Sequence, residues 1–255
     1  MNCFRCPRGT CIRVAAAAAF LSALPSYAGS PLVTDDTGII EDGVYELTVA
    51  FSGEETDEGD SFTAPEFKTE YGLGNNMHVG FGWSRAVVNP EDGERKSGLG
   101  EGELLFKWQF YEGDGTALVL SPAYEFPMNG SSKKRGLVDD VRVFSLPVVG
   151  SVESGDWTFT GQIGYDSTSS GPSSRFFGSW VGYSITESVE LMAEMYREEV
   201  IGEAEDTTNW RLALTVGVGE NGALMFGYGG NVTSELPDGE EIDNDFYIGY
   251  LYETR

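Results

Sequence analysis

The sequence predicts an all-β protein, a transmembrane antiparallel up-and-down β-barrel of about twelve strands behind an N-terminal signal peptide. Three observations carry this. Apolar residues recur with period two from residue 43 onward, which places them on one face of successive strands. The connections alternate between short turns and long polar loops. The segments run about ten to thirteen residues, close to the roughly 9–11 tilted residues that cross a bilayer and longer than the usual ~5–6 of soluble sheets.

Composition narrows the functional classes. The chain has 255 residues, with 41 Asp or Glu against 16 Lys or Arg, one His, and a net charge of −25. Such an acidic chain is repelled by phosphate backbones, which argues against nucleic acid as a partner. No apolar run reaches eighteen residues, so no spanning helix is expected. Hydrophobic residues make up 40%, below the globular average. That share suits a barrel, which needs apolar side chains on one face only.

Residues 1–28 read as a secretory leader. Arg5, Arg8 and Arg13 supply the positive start, Val14 to Leu24 the apolar stretch, and Ser26-Tyr27-Ala28 the small residues before cleavage. The alternative is a buried N-terminal helix, but the three features come in secretory order. The leader holds three arginines, no acid and all three cysteines (Cys3, Cys6, Cys11), so the mature chain carries 13 basic and 41 acidic residues, a net −28, and no thiol. Disulfides, thiolate metal sites and cysteine nucleophiles are then excluded together.

Residues 29–42 follow as a short segment, too polar and too brief for its own domain. It begins on the periplasmic side. Two readings stay open: it folds up into the lumen as a plug, or it is a disordered tail.

The barrel, residues 43–255, is expected to use strands near 43–53, 63–73, 76–88, 99–112, 116–128, 140–152, 156–167, 174–184, 187–199, 208–218, 222–233 and 244–253. Leu104, Phe106, Trp108 and Phe110 alternate with Glu103, Leu105, Lys107 and Gln109. Trp157, Phe159, Ile163 and Tyr165 alternate with Thr158, Thr160, Gln162 and Asp166. Trp210, Leu212, Leu214, Val216 and Val218 alternate with Arg211, Ala213, Thr215 and Gly217. No 3.6-residue stripe extends over twelve residues anywhere in the mature chain.

Five short turns sit at Gly74-Asn75-Asn76, Gly113-Asp114-Gly115, Ser154-Gly155-Asp156, Thr186-Glu187 and Glu220-Asn221-Gly222. Asn, Asp and Gly tolerate the positive φ of primed hairpin turns. Long loops are expected near 54–62, 89–98, 129–139, 168–173, 200–207 and 234–243. Short turns on one rim and long loops on the other describe an outer-membrane barrel, and an even strand count puts both chain ends on the periplasmic rim. Aromatics cluster toward segment ends: Tyr45 and Phe51, Phe67 and Tyr71, Trp108 and Phe110, Trp157 and Tyr165, and Phe246 with Tyr250 and Tyr252. This is the arrangement of two interfacial belts.

Residues 31–38, Pro-Leu-Val-Thr-Asp-Asp-Thr-Gly, resemble the opening of the outer-membrane family of meta-pathway phenol-degradation proteins, also described as transporters. Residues 98–104, Gly-Leu-Gly-Glu-Gly-Glu-Leu, resemble its second recurring element, and residues 117–127 followed by Gly130 its third. Gly155-Asp156-Trp157 and residues 191–194, Leu-Met-Ala-Glu, add weaker matches, so the ordered set spans nearly the whole mature chain. The resemblance implies an outer-membrane barrel for uptake of hydrophobic or aromatic compounds, with no catalytic motif to carry over. One departure is the C-terminus, where Tyr252 is followed by Glu253-Thr254-Arg255 instead of ending on an aromatic residue.

By parity the lumen-lining candidates are Glu46, Glu66, Lys68, Glu70, Glu103, Lys107, Glu125, Glu190, Glu194 and Arg211. They form either a polar pathway favouring cations or neutral solutes, or a paired network filling a narrow barrel. His78 shares the lumen parity with Gly80 and Ser84, but Ser84 lies about 20 Å along the same strand, too far for a nucleophile–base pair. No catalytic residue, metal ligand or cofactor is expected. The acidic stretches 54–60, 203–206 and 235–243 lack the spacing of a Ca²⁺ loop and read as solvated loops. Expected partners are outer-membrane lipid and lipopolysaccharide, the outer-membrane assembly machinery and a small-molecule solute. The expected function is a bacterial outer-membrane channel or transporter for small solutes. The competing reading is a structural or adhesive surface protein with a blocked lumen and acidic extracellular loops.

Overall fold

The structure, a computed structural model, describes residues 31–56, 59–90, 93–203, 206–234 and 242–254. The predicted leader, 1–28, and the cysteines within it lie outside the described residues. Among the described residues, fourteen strand segments and one short helix follow one another: β1 (Tyr45–Thr56), β2 (Gly59–Gly74), β3 (Met77–Pro90), β4 (Lys96–Gly113), β5 (Thr116–Leu120), β6 (Ala123–Pro127), α1 (Gly130–Lys134), β7 (Val143–Ser145), β8 (Val148–Ser154), β9 (Trp157–Thr168), β10 (Ser174–Thr186), β11 (Val189–Val200), β12 (Asp206–Val218), β13 (Gly222–Ser234) and β14 (Ile242–Glu253).

These segments make twelve staves. β5 and β6 are two halves of one stave and both pair with β4. β7 and β8 are halves of the next, and both pair with β9. Every pairing is antiparallel, and β14 returns to pair with β1 from Glu46↔Glu253 onward, which closes the ring. Closure leaves no sheet edge, the condition lipid imposes on a spanning sheet. The two chain ends of the barrel meet on the short-turn rim, where Tyr45 N–H donates to Thr254 Oγ1 at 2.9 Å and Thr254 N–H to the Tyr45 carbonyl at 2.8 Å.

Both stave breaks fall at prolines. Pro122 and Pro147 have no N–H to give a ladder, but their carbonyls still accept, from Phe106 N at 3.0 Å and from Ser121 N at 3.2 Å. The wall therefore stays continuous across the breaks.

Alternation runs opposite to that of a water-soluble core. Leu47, Phe159, Ile163, Leu191, Met195, Leu212 and Ile248 are exposed on the outer face. Thr48, Thr160, Gln162, Glu194 and Thr215, on the opposite parity of the same staves, are buried. A soluble monomer rarely exposes so continuous an apolar surface; a bilayer covers it. The short-turn rim carries close aromatic pairs, Tyr45–Tyr71 with centroids 4.4 Å apart and Trp157–Tyr183 at 4.7 Å. Asn75 and Asn76 have φ of 53° and 59°, and Asp114 and Gly115 of 53° and 71°, the doubled positive φ of a type I′ hairpin.

The long-loop side differs from expectation. β1 and β2 continue to Thr56 and from Gly59, so most of the expected 54–62 loop is paired strand, Glu54 and Glu55 included. β3 likewise reaches Pro90 and β4 begins at Lys96. Above the apolar band, ladder hydrogen bonds persist without apolar side chains to announce them. The connection after β6 holds α1, five residues capped by Asn129, whose side chain accepts from Ser131 N and Ser132 N. One turn of helix is too short to leave a periodic stripe.

Candidate functional site

Residues 31–42 carry no regular structure, yet they are hydrogen-bonded to staves all round the ring. Val33 N and Thr34 N both donate to the Glu194 carboxylate on β11, at 3.0 and 2.5 Å. Asp35 N donates to Gln162 Oε1 on β9 at 2.7 Å, and Thr37 Oγ1 meets Ser151 Oγ on β8 at 2.6 Å. Ile40 N donates to His78 Nδ1 on β3 at 3.2 Å, and Arg211 Nη1 on β12 donates to the Pro31 carbonyl at 3.2 Å. Only a chain running within the ring reaches side chains on so many staves. Leu32 adds an apolar contact, packed with Trp180, Met192 and Ala213.

Lys107 is the electrostatic centre of this arrangement. Its Nζ lies 2.8 Å from Asp35 Oδ1 and 3.0 Å from Asp36 Oδ1. Ser121 Oγ donates to the other Asp35 oxygen at 2.8 Å. Burial pushes the Asp35 carboxyl up, but the Lys107 ammonium overrides this, with Ser121 helping, and holds it below its ordinary value. Burial pushes Asp36 up; Lys107 only partly offsets it, and the adjacent Asp35 charge adds to the rise.

The wall is shaped to the segment. A Cβ at Gly178 would overlap the Thr34 side chain, and one at Gly72 the Glu41 carbonyl. A Cβ at Gly227 would come within 2.8 Å of the Pro31 carbonyl oxygen. Here glycine is needed for close approach, not for turning.

The sequence-derived candidates distribute as follows. Glu46 faces Glu70 directly across β1 and β2, and both are buried. Lys68 Nζ lies 3.7 Å from Glu70 Oε1, and His78 Nε2 lies 3.6 Å from the same atom. Arg211 Nη2 pairs with Asp245 Oδ1 at 2.8 Å. Glu103 and Glu125 face each other across β4 and β6. Glu66 faces Ser84, and Glu190 lies between Ser184 and Thr215 in the ladder. Lys107, Glu194 and Arg211 therefore meet residues 31–42, whereas Glu66, Glu103 and Glu125 form a separate acidic group nearer the long-loop end.

His78 has no vacant base nitrogen here. Nδ1 accepts from Ile40, so the neutral ring carries its proton on Nε2. Sequence reasoning missed Asp35, Asp36, Ser121, Gln162 and Asp245 as site residues. Asp35 and Asp36 sit in an irregular segment with no parity to read, and the partners of the others come from distant strands.

No family model matches the chain, and no curated protein matches it. Solved structures do. A COG4313 outer membrane channel from Pseudomonas putida F1 superposes with a TM-score of 0.70 at 13% identity, covering 88% of this chain and 100% of that one. The NanC porin gives 0.58 at 12% identity, covering 81% and 98%. The KdgM porin gives 0.56 at 8% identity, covering 82% and 99%. With its outward apolar belt, this chain is a closed twelve-stave β-barrel that shares its fold with outer-membrane channels and porins.

Proposed function

We propose that the chain forms a passive channel for small solutes, hydrophobic or aromatic ones among them, and that residues 31–42 narrow its lumen. The observation that carries this reading is the pairing of a polar interior with a segment tied to it by the Lys107, Glu194, Gln162 and His78 side chains. A lumen is worth restricting only if something can pass through it. In this reading Glu46, Glu66, Lys68, Glu70, Glu103, Lys107, Glu125, Glu190, Glu194 and Arg211 line the path. Their excess of carboxylates disfavours anions. The chain would meet lipid and lipopolysaccharide on its outer face, and the outer-membrane assembly machinery on its way there.

The competing reading, a surface protein with a sealed barrel, draws on the same interior packing: Glu46, His78 and Lys107 are almost fully buried. Single-channel recording in planar bilayers separates the two. The full chain should give small conductance steps, and deletion of residues 31–42 should enlarge them several-fold. Equal conductance for both proteins would remove the narrowing role. Silence from both would leave the structural reading.

A further inference from the structure

A cavity of about 340 Å³ lies at the long-loop end, between β2, β3 and β4 and the connection that follows β6. Its volume falls in the lower part of the ~300–1,000 Å³ typical of ligand pockets. Ala86, Val88, Leu137 and Val138 supply an apolar lining. Glu101 and Asp139 also line it, and both are exposed enough to meet an incoming solute. Among the described residues, no lysine or arginine lines it.

The connection that roofs the cavity is built in place. Met128 N donates to the Gly100 carbonyl at 3.3 Å, and Arg135 Nη1 donates to the Ser97 carbonyl at 3.0 Å. Leu137 and Ser132 are buried. A Cβ at Gly98 would lie 2.8 Å from Leu137 Cδ1, so glycine there lets the roof seat. Arg135, beside this seat, donates to the carbonyls of Ser97 and Ser131.

Negative charge continues beyond the cavity. The Glu125 carboxylate feels Glu103, Glu101, Asp166 and Glu66 together. Lys68 acts on Glu66 and Glu103 in turn. An anion in the cavity meets the carboxylates of Glu101 and Asp139. An organic cation with an apolar body satisfies both halves of the lining at once.

We infer that this cavity is an entry site for a small arylalkylammonium-type cation, its ring against Ala86, Val88, Leu137 and Val138 and its ammonium between Glu101 and Asp139. The inference deepens the channel reading by naming a solute class, and it rests on that reading for the onward route but not for the binding itself.

The test is calorimetric titration of the refolded full chain in detergent with phenethylammonium chloride, sodium phenylacetate and benzyl alcohol, each corrected against protein-free micelles. Phenethylammonium should bind at one site and phenylacetate should not. Glu101→Gln with Asp139→Asn should weaken phenethylammonium about tenfold, as the loss of two partly solvated charge contacts implies, and leave benzyl alcohol unchanged. Leu137→Trp should abolish binding of both by filling the cavity. A heat-dependent shift on a detergent gel checks that each variant is folded; Asp139→Asn alone, on the exposed connection, carries the charge test if the double variant loses that shift. Equal binding of cation and anion, no binding, or binding indifferent to Leu137→Trp overturns the inference. Conductance is recorded separately, so binding without conductance would remove the channel and keep the site, and conductance without binding the reverse.

Discussion

Lys107 Nζ and Asp35 Oδ1 lie 2.8 Å apart, although 72 positions separate them in the chain. Lys107 is nearly fully buried on its stave, and Asp35 belongs to a segment with no secondary structure. The pair joins the two parts of the molecule on which the proposed function depends. A buried ion pair is weak evidence for net stability, but removing one partner strands the other.

Lys107→Met should therefore strand Asp35 and Asp36 at a cost of about 3–5 kcal/mol. The segment relieves that cost by leaving its seat, so single-channel conductance should rise toward that of the 31–42 deletion. Adding Asp35→Asn and Asp36→Asn removes the stranded charges and should bring conductance back down. A triple variant as open as Lys107→Met would show that the charges do not hold the segment.

Gly178 offers a steric counterpart. Gly178→Val places branched carbons where the Thr34 side chain sits, an overpacking that costs roughly 1–3 kcal/mol. Conductance should rise with the barrel intact. Gly161→Val is the matched control, since a Cβ there meets nothing within 4 Å, and its conductance should equal that of the unaltered chain.

Ile163 tests the outer face. It is 60% exposed on β9, between inward Gln162 and Gly164. Ile163→Arg should destabilise the barrel in lipid vesicles by about 2–4 kcal/mol if it lies near the bilayer midplane, read from urea unfolding. A neutral result would mean that water, not lipid, covers that surface.

Asn75 tests the short-turn rim. Its φ of 53° is unfavourable for a β-branched residue. Asn75→Val should cost about 1–2 kcal/mol and slow refolding into vesicles, followed as the gain of the heat-modifiable form. Glu55→Ala, in the solvated extension of β1, should refold at the unaltered rate.

Much of the barrel was legible because its signals are local. Leu104 through Phe110 announces its strand by alternation within seven residues, and Asn75-Asn76 announces its turn within two. The ends of β1 and β2 were not legible, because Glu54 to Thr56 and Gly59 to Phe62 carry no apolar alternation and only cross-strand hydrogen bonding shows them to be paired. The breaks at Pro122 and Pro147 lie inside segments whose apolar content reads as continuous strand.

The candidate site divides in the same way. Glu194, Lys107 and Arg211 could be assigned to the interior by parity, since one residue in two must point inward. Their partners could not be assigned, because residues 31–42 have no period and meet β3, β4, β8, β9, β11 and β12 only after the ring has closed. The amino-acid sequence by itself determined the strand number, the inward and outward faces and the acidic balance, each of which follows from residues within a few positions of one another. Tertiary structure alone decided that Lys107 holds Asp35, that Gly178 makes room for Thr34 and that Glu101 shares a cavity with Asp139, because these contacts depend on how the tilted ring brings distant staves together.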